Sequence, residues 1–178
     1  DVTRQVLADY ASVLQQNVAK AYSNGDMTAF KAASAAFLGL LDDMEALLGT
    51  REEFLLGRWI EAARSVGHID EEKDLYERNA RNLITLWGNK DCRIKDYACR
   101  QWNGMMSGFY RPRWERFFAV LEDAISRGVQ YDEPQFVSDS KDWEWDWVSG
   151  KEKYATETCS DEIVECLRIW NAYFKDIA

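Results

Sequence analysis

The residues of this chain with the best claim to chemistry are aromatic, and they flank a loop. Trp87 closes the run Leu83-Ile84-Thr85-Leu86-Trp87, and Gly88-Asn89-Lys90-Asp91 follows as an evident loop. Tyr97 stands on the far side of that loop, where the next helical pattern begins. Rings at element ends beside a loop can present a face to a ligand, as the C–H faces of a sugar require for stacking. The same placement suits a ring that merely covers the end of a helical bundle, and the residues alone leave both readings open. Hydrolysis is a different matter. It needs two carboxylates facing each other across a pocket, one kept protonated by its surroundings. Glu52, Glu53, Glu71, Glu72, Glu144 and Glu162 fall in first helical turns or on polar faces, where macrodipole and solvent accommodate them. A Gly-rich phosphate cradle, a G-x-S-x-G elbow and an H-E-x-x-H pair are all missing from the sequence. No catalytic residue is therefore expected here, and the chain by itself is expected to be inactive.

Metal and redox chemistry have little to work with. The four cysteines are Cys92, Cys99, Cys159 and Cys166, none at C-x-x-C spacing, and the single histidine, His68, is remote from them. A zinc site uses four N/S ligands at closer spacing, so neither a metal nor a cofactor is expected. Cys159 and Cys166 lie about two helical turns apart, too far for a disulfide on one straight helix. Free buried thiols are the expectation. His68, in a turn, reads as solvated or capping, and Arg111 and Arg113 read as salt-bridge residues.

The elements that must position these residues are helices. Val2, Val6, Leu7, Tyr10, Val13, Leu14 and Val18 recur at helical spacing, and Gly25-Asp26 breaks the pattern with a C-cap and a new N-cap. A second helix over 27–48 buries Phe30, Phe37, Leu40, Leu41, Met44, Leu47 and Leu48. Thr50-Arg51-Glu52-Glu53 has capping-box form and predicts a third helix over 52–66, with Leu55, Leu56, Trp59, Ile60 and Ala63 inward. Asp70 is expected to cap a fourth helix reaching Leu86, and Asp96 a fifth running through Phe109. Pro112 is tolerated in the first turn of a sixth helix that ends near Arg127. An irregular stretch from Gly128 to Asp139 then leads to a helix carrying Trp143, Trp147 and Val148. Ser160 is expected to open the last helix, with Ile163, Leu167, Trp170 and Phe174 on its apolar face. Trp59, Trp102, Trp114 and Trp170 are core candidates, each wanting a partner for its indole N–H. Trp143, Trp145 and Trp147 alternate with acids, so at least one should be exposed or pack on something outside the chain. Period-two alternation is missing, and the links are short. The fold class is all-α, an antiparallel bundle of about six to eight helices forming one domain over 1–178.

Composition sets the outer limits. Of 178 residues, 47% are hydrophobic and only two are proline, which favours packed helices over disorder. The net charge of −9, with no Lys/Arg stripe to reverse it locally, argues against nucleic acid as a partner. No apolar run approaches the about 20 residues needed to span a bilayer, so no membrane is expected. The chain opens on Asp1-Val2-Thr3-Arg4-Gln5 without a signal peptide, as expected of a cytosolic protein or of a piece of a longer precursor.

Ordered motifs narrow this further. Asp1-Val2-Thr3-Arg4-Gln5, Phe54-Leu55-Leu56-Gly57-Arg58-Trp59, Leu83-Ile84-Thr85-Leu86-Trp87-Gly88, Asp96-Tyr97-Ala98 and Tyr110-Arg111-Pro112-Arg113-Trp114 follow one another at characteristic intervals. Together they resemble the C-terminal region of glycoside hydrolase family 89, the α-N-acetylglucosaminidases, over nearly the whole chain and most closely from Phe54 to Phe118. The resemblance implies a three-part enzyme of small N-terminal domain, (β/α)₈ barrel and helical C-terminal domain. It implies removal of terminal α-linked N-acetylglucosamine from a glycan with retention of configuration. Nucleophile and acid/base would both be barrel glutamates upstream of Asp1. This chain would pack on the barrel of the same polypeptide and close one side of the pocket. Carried over by motif, Trp87, Ile94 and Tyr97 would be its substrate-binding residues, an aromatic wall with a phenol able to hydrogen-bond. The loop between Gly88 and Ile94 lacks the proline that relatives often have there. A pocket histidine of relatives would also lie upstream, so His68 is not its counterpart. Asn-x-Ser/Thr is absent, which favours a bacterial, secreted or periplasmic member over a lysosomal one. The competing expectation is a stand-alone helical interaction module, for which the acidic surface and surplus tryptophans speak. A carbohydrate-binding module acting alone shares the aromatic argument but is usually a β-sandwich.

Overall fold

Asp26 shows how directly this sequence writes its structure. Its carboxylate accepts the Ala29 N–H at 2.9 Å, and Gly25 before it takes left-handed backbone at φ 65°. Helix α1 (Val2–Ser23) therefore ends and α2 (Met27–Leu48) begins within three residues. So short a link makes the pair an antiparallel hairpin. The computed structural model describes residues 1–175, and the last three of the expected 1–178 domain lie outside them. Among the described residues five further α-helices follow: α3 (Leu56–Arg64), α4 (Asp70–Leu83), α5 (Arg111–Arg127), α6 (Glu133–Ser149) and α7 (Glu162–Tyr173). Strands are absent among these residues, so the all-α bundle is as expected, with seven α-helices.

Two apolar cores hold the helices together. The first gathers Leu7, Leu14, Phe30, Phe37, Leu40, Met44, Phe118, Leu121 and Ile169 from α1, α2, α5 and α7. Trp114 lies against Phe37 with ring centroids 4.7 Å apart. The second gathers Leu56 and Ile60 of α3, Ile84 and Leu86 after α4, Phe109, and Trp147 and Val148 of α6. Each such side chain, fully buried, contributes about 1.5–3 kcal/mol. Tyr110 packs against both cores and joins them.

The departures from expectation lie where long-range partners override local pattern. The third helix does not run from Glu52. Residues Glu52–Phe54 form one 3-10 turn, and Leu55 is extended because it bridges to Asn103. Thr50 does not cap it; its hydroxyl donates to the Leu47 carbonyl. Helix α4 stops at Leu83, short of Leu86, and Asp70 is its first residue, with Ile69 at the N-cap. The predicted helix over 96–109 does not form. Asn103 donates its N–H to the Phe54 carbonyl at 2.8 Å and accepts from the Leu56 N–H at 3.1 Å, so neither group is free for a helical ladder. Gly104 at φ 86° breaks the backbone again, and only Met106–Tyr110 winds, as a π-turn leading into α5. The Glu45 carboxylate of α2 caps that turn, accepting from the Gly104 N–H at 2.8 Å and the Ser107 hydroxyl at 2.8 Å.

Helix α6 starts inside the stretch expected to be irregular. Asp132 caps it by accepting from the Gln135 N–H, and Pro134 sits harmlessly in the first turn. None of its three tryptophans faces outward: Trp147 is buried, Trp143 and Trp145 are half-buried, and all three touch the second core. An indole is long enough to reach the core from a flanking position. Asp161, not Ser160, caps α7. The apolar face assigned to α7 is also corrected: Ile169 is buried, whereas Ile163, Leu167 and Trp170 are exposed. All four cysteines are free as expected, but none is buried.

Candidate functional site

The two aromatics singled out by sequence are brought together. Trp87 and Tyr97, ten residues apart, have ring centroids 5.1 Å apart at 58°. One backbone hydrogen bond closes the loop between them, from the Asp96 N–H to the Thr85 carbonyl at 2.7 Å. Thr85 is buried and itself anchored, its hydroxyl donating to the Arg81 carbonyl at 2.8 Å. Ile84 and Leu86 are sunk in the second core, so the residue after them is forced to the surface at a defined point. Ile94 lies on the same loop. Trp87 is 39% exposed, Ile94 53% and Tyr97 72%, so all three present apolar area at the surface.

The backbone here is strained. Trp87 at φ 65° and Asp96 at φ 58° are the non-glycine residues with left-handed backbone among those described. Each such residue costs roughly 1–2 kcal/mol, and strain of this kind collects at binding sites. The surroundings hold it: the Trp87 N–H donates to the Asn82 carbonyl at 2.8 Å, and Asp96 is pinned by an ion pair to Arg113 at 3.0 Å. The paired rings are thus a preset apolar surface, carried by a loop tied down at both roots. Such a surface can stack on a sugar or another flat apolar face.

Electrostatics around the loop are organised by Arg113. Its guanidinium lies over the rings of Phe109 and Tyr110, 4.9 and 5.5 Å from their centroids. Burial works against its charge, but Asp96 and Glu144 more than offset this and hold its pKa above the usual value. The Tyr110 phenol is pushed up to about 12, first by burial and then by the charges of Cys99 and Asp96. The expected salt-bridge roles of Arg111 and Arg113 are observed, Arg111 pairing with Asp42 at 2.7 Å. His68 is solvated, and it is its backbone N–H that meets Glu72. Next to the loop, a 590 Å³ cleft is lined by Asp96, Cys99, Gln101, Trp102, Tyr110 and others.

Sequence reasoning missed the buried ions. Glu77 and Glu144 are both buried, and each meets two cations: Arg64 and Arg81 for Glu77, Lys95 and Arg113 for Glu144. Neither acid is placed as a protonated catalytic group in an apolar pocket would be. Neither stands out in the sequence: Glu77 sits on a helix of mostly charged and polar residues, and Glu144 sits among tryptophans alternating with acids.

Comparison with known proteins shows the family of the chain. The family model described as the alpha-N-acetylglucosaminidase (NAGLU) C-terminal domain matches residues 1–171. The chain is 30% identical over 175 residues to human alpha-N-acetylglucosaminidase, covering 98% of itself and 23% of that protein. A family 89 glycoside hydrolase from Clostridium perfringens, solved with 2-acetamido-1,2-dideoxynojirmycin, superposes with TM-score 0.86 at 35% identity, over 98% of this chain and 20% of the other. The same organism's enzyme with two glutamates changed to glutamine, in complex with GlcNAc-alpha-1,4-galactose, superposes with TM-score 0.86 at 36% identity. That match covers 97% of this chain and 20% of the other. The chain thus spans about a fifth of these relatives' length.

Proposed function

The chain belongs to the C-terminal domain family of the α-N-acetylglucosaminidases, and we propose that it serves as the helical part of a retaining exo-glycosidase. In this reading residues 1–178 pack on a catalytic barrel of the same polypeptide. They supply one wall of the pocket for a terminal α-linked N-acetylglucosamine through Trp87, Ile94 and Tyr97. The observation that carries it is the Trp87–Tyr97 ring pair, exposed and held in strained backbone by two anchored loop roots. An apolar surface held in an unfavourable conformation is best explained by a ligand or partner that uses it. Retention requires two carboxylates about 5–5.5 Å apart across the scissile bond. The buried acids of this chain are already committed to cations, which agrees with a nucleophile and acid/base supplied from elsewhere in the polypeptide. The absence of Asn-x-Ser/Thr and the likeness to a Clostridium perfringens enzyme support a bacterial over a lysosomal member, secreted or periplasmic in this reading.

The test is kinetic. In the full-length polypeptide, Trp87→Ala should raise KM for an aryl α-N-acetylglucosaminide by roughly fivefold to thirtyfold, as loss of a stacked ring worth about 1–2 kcal/mol implies. Tyr97→Phe should raise it by a smaller factor, through the phenol alone. Unchanged kinetics in both variants would remove the pocket assignment.

A further inference from the structure

The loop that carries Ile94 and Tyr97 is held by a chain of alternating charges. Lys95 pairs with Glu144 on α6. Arg113 on α5 lies 3.2 Å from the other Glu144 oxygen and 3.0 Å from Asp96. The order Lys95–Glu144–Arg113–Asp96 therefore leaves the loop at one residue and returns to it at the next, immediately before Tyr97. Glu144 is 2% exposed, while Lys95 and Asp96 are half-buried or more open. Two further pairs, Lys90–Asp142 and Asp91–Lys141, join the same loop to α6 farther out. Those are exposed and contribute little. A buried carboxylate shared by two cations is another matter: neutralising it leaves two positive charges facing each other in a region of low dielectric. Lys95, at the rim, relieves that repulsion by swinging into solvent, and the loop goes with it.

Resting on the pocket-wall reading above, we propose that Glu144 is a positioning residue for the sugar site. It touches no sugar. It fixes residues 94–97, keeps the Tyr97 ring against Trp87, and so sets substrate affinity from the far side of the loop.

The experiment uses the full-length polypeptide and 4-nitrophenyl α-N-acetylglucosaminide. Glu144→Gln keeps the shape and removes the charge. It should raise KM roughly tenfold and leave kcat within about twofold, since a wall that binds ground and transition state alike is what is lost. Hydrogen exchange over residues 88–100 should quicken. In a Trp87→Ala/Tyr97→Ala background the same substitution should change KM by less than about twofold, because the ring pair it holds together is already gone. A wild-type KM for Glu144→Gln, or an equal rise in the ring-less background, overturns the proposal. If the ring-less enzyme itself keeps a wild-type KM, it is the pocket reading that fails, whatever the loop does. Should Glu144→Gln not fold, Lys95→Met breaks the same link from the solvent side, and the same pair of KM outcomes decides.

Discussion

Arg81 is the residue on which the second core turns. Its guanidinium is fully buried, donates to Glu77 through Nε at 3.0 Å and Nη2 at 2.7 Å, and reaches the Glu152 carbonyl at 2.6 Å. The rings of Trp147 and Tyr154 cover it at 5.0 and 5.3 Å. Arg81→Ala should lower unfolding free energy by about 3–5 kcal/mol, because it empties the space under Trp147 and Tyr154 and leaves the buried Glu77 carboxylate with Arg64 alone. Urea titration of the purified chain measures this, and a loss within about 1 kcal/mol would show that water reaches Glu77 easily. Tyr110 gives a pH signature. Its pKa of about 12 lies above that of an unfolded tyrosine, near 10, so folding favours the neutral phenol. That share of the stability is present below about pH 10 and is lost as pH rises toward about 12. Tyr110→Phe should therefore lose less stability than the parent between pH 9 and pH 11.5, and parallel curves would contradict the assignment. Residues of this kind were the least legible in sequence. Trp87 and Tyr97 announced themselves by standing at element ends beside a loop, whereas Arg81, Glu77 and Glu144 look like ordinary polar helix positions until their distant partners are known.

Local signals decided the elements that depend only on neighbours. Asp26 and Gly25 define the α1–α2 turn, Gly128 at φ 65° ends α5, and apolar spacing alone identified the α2 core face. Elements whose backbone bonds to something far away depart from their local pattern. The 96–104 segment has helical spacing, but Asn103 pairs with Phe54 and Leu56, and Glu45 takes the Gly104 amide. Nothing near residue 100 in sequence encodes either partner. The segment after α6 is likewise placed by a distant partner, lying across α3 where Gly57 admits it. A β-carbon at Gly57 would meet the Ala155 carbonyl at 2.3 Å and the Tyr154 carbonyl at 2.5 Å, both backbone atoms. Gly57→Ala should destabilise by about 1–3 kcal/mol, visible as a lowered Tm. An unchanged Tm would mean that the 150–156 segment can lift away freely.

At the scale of the whole molecule, the fold class was legible and the outward faces were not. Periodicity shows that a helix has an apolar stripe; it cannot show whether the stripe meets this chain or another part of a longer one. Helix α7 illustrates the difference, burying Ile169 and leaving Ile163, Val164, Leu167 and Trp170 exposed, with Val2 and Val6 exposed on α1. An apolar face of this extent drives association when left uncovered. The 178-residue chain alone should therefore self-associate in sedimentation velocity at micromolar concentration. The Leu167→Lys/Trp170→Lys pair should shift it toward monomer. A parent chain that stays monomeric would show that α7 is sufficiently wetted as it stands.

Trp87 and Tyr97 carry the proposed sugar site, and a structure of the full-length polypeptide with a bound N-acetylglucosamine analogue tests that role most directly. The predicted result is ring carbons of both residues within about 4 Å of the sugar, at van der Waals contact. A sugar bound on the barrel with both rings separated from it by solvent would contradict it.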